Sequence, residues 1–84
     1  MRQEKLKEIF ERAQTLIEQE RRILQTPIER ANRILYLDTR DLINSNLAAL
    51  MAFGHELEAG QLEAERLSNI KKNQDMFQRL EMFH

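Results

Sequence analysis

The chain has no cysteine, a single proline, two glycines and one tyrosine in 84 residues. Without cysteine there is no disulfide and no thiolate metal ligand, and nothing marks a redox compartment. So little glycine and proline, with 32% of the residues charged, points to an almost wholly helical protein. A charge of one sign is also missing. Thirteen basic residues face fourteen acidic ones, so the composition carries no electrostatic footprint for nucleic acid and no charged tail. The longest apolar run, Leu47 to Phe53, is far too brief to cross a bilayer. The N-terminal stretch is charged and helical in pattern, unlike a signal peptide, and the default expectation is a soluble, intracellular chain.

What is present is helical periodicity. A chain of this length forms one small domain, residues 1–84, that buries only about 60–65% of its unfolded surface, so its core is thin and self-association would enlarge it. Three helices are expected, at about 3–25, 27–59 and 61–83. In the first, Leu6, Ile9, Phe10, Ala13, Leu16, Ile17, Ile23 and Leu24 recur at three- and four-residue steps and make a wide apolar stripe. Glu20 falls inside that stripe.

The start of the central helix is signalled by Thr26-Pro27-Ile28-Glu29. Thr26 and Glu29 are spaced for a reciprocal capping box, and Pro27 falls at the first helical position, where its missing N–H costs nothing. Gly60 is the expected stop. Between them Ile28, Leu35, Leu42, Ile43, Leu50, Phe53 and Leu57 share one stripe, with Asn32, Thr39 and Asn46 recurring on it once per heptad. A stripe interrupted in that way resembles an interhelical seam whose polar layers set register. Leu37 to Asp41 contains a possible stop and restart at Asp38, but the stripe keeps its phase there, so the helix is expected to continue.

The third helix presents Leu62, Leu67, Ile70, Met76, Phe77, Leu80 and Phe83, with Asn69 and Asn73 within the face. The expected fold class is therefore all-α: an antiparallel three-helix bundle, or an extended helical hairpin, around a long central helix. If the chain folds back at Thr26 and at Gly60, Glu20 comes opposite Asn32, and Asn46 comes opposite Asn73 or Gln74. Each pair is then expected to form a hydrogen-bonded layer that fixes register.

Few residues here suggest chemistry. Ser45 and Ser68 lack a glycine-rich elbow, the histidines are His55 and His84, and no spacing marks a metal site. No catalytic residue, metal or cofactor is expected. The run Leu50-Met51-Ala52-Phe53-Gly54-His55-Glu56-Leu57 resembles the phosphoacceptor box of sensor histidine kinases, where a histidine followed by an acid sits on a bundle helix. Glu58-Ala59-Gly60 replaces that family's Arg-Thr-Pro continuation. The resemblance implies histidine phosphotransfer or a dimerisation bundle using His55. The same run is similar to the death helix of pro-apoptotic proteins through Leu50, Phe53, Gly54, Glu56 and Leu57, with His55 in place of the aspartate. That likeness implies a ligand for the groove of an apoptosis regulator.

The remaining feature is a second, weaker apolar strip on the central helix, made of Ile34, Leu37, Ala48 and Ala52. With Phe53 and His55 it is the candidate partner-binding face. Glu20, Asn32, Thr39, Asn46 and Asn73 are the candidate register-setting residues. The function expected from these features is a non-enzymatic protein–protein interaction or oligomerisation module. Its partner would be another protein, either a second copy or a helical partner.

Overall fold

The computed structural model describes residues 2–26 and 30–82, with side chains from residue 4 onward. Within them the chain forms α1 (Arg2–Leu24), α2 (Arg30–Ala52), α3 (Glu56–Lys72) and α4 (Gln74–Glu81), and no strand. The first three pack on one another, so the all-α bundle expected from composition and periodicity is what forms. Asp38 lies inside α2, so the helix runs through it without a break.

α1 buries the stripe expected of it. Ala13, Leu16 and Ile17 join Ile43, Leu47, Leu50, Ala59 and Leu62 in one cluster, with Ile9 and Phe10 packed against it. Ile23 and Leu24 join Tyr36 and Leu80 in a second cluster, flanked by Leu37, Ile70, Met76 and Phe77. Late α1 thus meets early α2, and mid α1 meets late α2, which makes the pair an antiparallel hairpin. Thr26 donates its hydroxyl to the carbonyl of Arg22 at 2.6 Å, an interaction that belongs to the end of α1. The capping box proposed for Thr26 also needs Pro27 and Glu29, which lie outside the described residues, as do Ile28, Phe83 and His84.

The long central helix is corrected. α2 stops at Ala52 because Gly54 adopts φ 84°, a left-handed conformation that glycine takes without steric cost. Gly54 N–H donates to the Met51 carbonyl at 3.0 Å and His55 N–H to the Leu50 carbonyl at 2.9 Å. That pair of bonds is a Schellman motif, which satisfies carbonyls that a helix end otherwise leaves open. Gly60, the expected stop, lies inside α3. Glu56 and Glu58 then occupy the first turn of α3, where the positive end of the helix dipole favours them. The molecule's longest dimension is 41 Å, room for a 23-residue helix of about 35 Å and not for the 33-residue, ~50 Å helix first expected.

Ending α2 at Ala52 also rotates its buried face. The residues it buries are Tyr36, Thr39, Ile43, Leu47 and Leu50, at steps of three and four. Leu35, Leu42 and Phe53, expected in the stripe, are close to half exposed, and Leu57 is exposed on α3. The expected phase was wrong because it was drawn to carry through Phe53 to Leu57, across a break that resets the helix.

The third helix is also shorter than expected, since Asn73 separates α3 from α4. Its backbone leaves helical geometry at φ −126°, ψ 37°, and its side-chain amide donates to the Asn69 carbonyl at 2.9 Å. An asparagine that bonds to nearby backbone in this way competes with helix continuation. The bend aims α4 back at α2. Phe77 meets Tyr36 edge to face with ring centroids 6.4 Å apart, and Leu80 is buried.

Candidate interaction surface

Between the two apolar clusters runs a polar layer. Glu20 is fully buried, and Arg66 from α3 donates through Nε to both its carboxylate oxygens at 3.2 Å. Arg66 Nη1 also donates to Asn44 Oδ1 at 2.9 Å, so the layer spans three helices. One step away, Gln19 Nε2 donates to the buried Thr39 hydroxyl at 2.6 Å. Burial holds the Glu20 carboxyl above its ordinary pKa, and the Arg66 charge offsets this only in part. Among the described residues no buried side-chain polar atom is left without a hydrogen-bond partner.

The expected register pairs are therefore corrected. Glu20 is answered by Arg66 and is not set opposite Asn32. The facing of Gln19 and Thr39 shows why: α1 and α2 meet nearly two turns further along α2 than a reversal centred on Thr26 would give. Asn46 donates its amide to the Leu42 carbonyl at 2.7 Å. Asn73 likewise bonds within its own helix, to the Asn69 carbonyl, while the α3 residue that reaches the neighbouring Asn44 is Arg66. The two asparagines form no layer. Thr39 and Glu20 do sit in buried polar contacts, though with partners that sequence reasoning did not supply. Arg66 was missed because, on a helix taken to begin at Gln61, it gave no sign of being more than a surface arginine.

A second, part-buried contact fastens α4. The hydroxyl of Tyr36, a fully buried residue, donates to Glu81 Oε1 at 2.7 Å, and Arg40 Nη1 lies 3.2 Å from Glu81 Oε2. Burial first, and the Glu81 carboxylate second, push the tyrosine pKa well above its usual value.

The partner-binding candidates divide. Ile34, Ala48 and Ala52 lie exposed on the outer side of α2, whereas Leu37 is partly buried against the second apolar cluster. Phe53 is partly exposed in the turn after α2. His55 occupies the N-cap position of α3, with no side-chain cap bond, and its Nδ1 lies 3.5 Å from Glu58 Oε2. Both resemblances imply a continuous helix through residues 50–57, and that helix ends at Ala52. The histidine stands in a turn, beside a shallow hollow of about 240 Å³ floored by Leu6, Phe10 and Leu50.

The structure adds an apolar surface that periodicity did not single out. Leu57, Gly60, Ala64 and Leu67 follow one another at steps of three and four along the outer side of α3, opposite the buried Ala59, Leu62 and Arg66. Leu57 is 72% exposed and Leu67 56%. Beside Gly60, a hollow of about 230 Å³ is formed with Leu47, Met51 and Ala59 and rimmed by Glu56 and Glu63. Among the described residues no helix is long and apolar enough to cross a membrane, and no group of three His, Asp or Glu is placed to hold a metal ion. No known protein family, curated protein or solved structure matches the chain.

Proposed function

We propose that the chain is a non-enzymatic helical interaction module that works by assembling with another protein, a second copy of itself in the first instance. The observation that carries this reading is the surplus of large apolar side chains outside a core that is already closed. Ile34, Met51, Leu57 and Leu67 are each more than half exposed, although α2 and α3 have packed faces of their own. Each such side chain gains about 1.5–3 kcal/mol when fully buried, so covering several of them together drives association.

The polar interior supports the same reading. Glu20 and Tyr36, whose ionisation burial opposes, are occupied by Arg66 and Glu81 in contacts that hold helices together. Sedimentation velocity at micromolar concentration tests the proposal. A dimer or larger species is expected, and a clean monomer at every concentration would remove self-assembly as the role.

A further inference from the structure

We infer that the self-association face is the outer side of α3, and that two copies pair there antiparallel about Ala64. This inference rests on the proposed assembly role and names the surface that performs it.

α3 is asymmetric along its length. Its first half carries the hollow of about 230 Å³ beside Gly60, with Glu56 and Glu63 on the rim and Glu63 Oε2 3.8 Å from Arg66 Nη1. Small-molecule sites span roughly 300–1,000 Å³, so the hollow is suited to a single side chain rather than to a drug-sized ligand. The second half of α3 carries what fits it, the exposed Leu67 followed one turn later by the exposed Lys71. An acidic, concave half and a basic half with a projecting leucine are complementary only when one copy runs opposite to the other.

The register follows from the spacing. With Ala64 facing Ala64 across a two-fold axis, Leu67 of each copy comes level with Gln61 of the other, one residue from Gly60, and Lys71 comes level with Leu57, one residue from Glu56. A two-fold between antiparallel helices brings like flanks together, so the partner's Leu67 lies on the flank where Met51 and the hollow are. A Cβ built on Gly60 meets nothing within 4 Å in its own chain. Glycine in a helix interior costs about 0.5–1 kcal/mol relative to alanine, and close approach of a second helix is the use this position offers.

The absence of cysteine makes the test simple, because an introduced thiol is the only one. Ala64→Cys is expected to form a disulfide-linked dimer on mild oxidation, while Ala48→Cys on the outer side of α2 remains uncrosslinked. Gly60→Leu fills the hole and Leu67→Glu removes the knob. Each should raise the dimer dissociation constant roughly tenfold or more, with the helical content and melt of the monomer retained. Glu56→Lys and Lys71→Glu should each weaken the dimer, and the two together should restore it, which a parallel arrangement would not do. A wild-type dimer that withstands Gly60→Leu and Leu67→Glu, or that crosslinks through position 48 and not 64, overturns this inference and leaves the assembly role standing. A wild type that stays monomeric overturns both.

Discussion

At the scale of single residues, the interior turns on Glu20 and Arg66. A buried ion pair is a weak source of net stability but a strong constraint, because removing one partner strands the other. Arg66→Leu is therefore expected to destabilise by about 3–5 kcal/mol. Glu20→Leu should do comparable harm, while the double substitution should recover most of the loss. Chemical denaturation of the four proteins measures this directly, and additive losses would show that the two side chains act independently. The pH dependence adds a check of sign. Because burial raises the Glu20 pKa above its ordinary 4.5, the folded state binds that proton more tightly than the unfolded chain does. The Glu20 contribution is thus fully present below about pH 4.5 and is lost as the pH rises through the folded value. Relative to Glu20→Gln, the wild type should lose stability between pH 4 and pH 7, and paired melts at those two values reveal it. Glu20 was legible in the sequence as a polar residue on an apolar stripe. Its partner was not, since Arg66 acquires its meaning only from the register in which α3 returns.

At the scale of elements, the helix stop expected at Gly60 falls instead at Gly54. Gly54 has φ 84° and closes α2, whereas Gly60 lies within α3 with open space around it. Gly54→Ala should therefore cost about 1–2 kcal/mol, the penalty of a left-handed residue with a side chain. Gly60→Ala should stabilise the monomer by about 0.5–1 kcal/mol. Thermal melts of these variants at a concentration low enough to keep the protein monomeric give opposite signs if the break is at Gly54. Helix type and the stripe of α1 were readable because period and composition agree along all of it. The phase of α2 was not, because a glycine at a helix stop and one on an open helix face look alike until the following residues are weighed. Here they were informative: Glu56 and Glu58 mark a positive helix end. The bend at Asn73 gave a weaker sign, an asparagine able to bond back to Asn69.

At the scale of the whole molecule, the helices close a core of two apolar clusters separated by a polar layer, and still leave leucines outside. The interior accounts for a self-contained fold; the exposed leucines are what the proposed assembly rests on. Exposed apolar residues on α2 were foreseen in Ile34, Ala48 and Ala52, while the face of α3 was hidden by the misplaced helix boundary. A self-contained fold and the proposed concentration-dependent pairing are tested together by the melting temperature measured across a wide range of protein concentration. A cooperative transition should persist at the lowest concentration, and its midpoint should climb as concentration rises, because a partner that binds only the folded chain stabilises it by mass action. A midpoint that does not move with concentration would contradict the pairing, and loss of the cooperative transition on dilution would contradict the self-contained core.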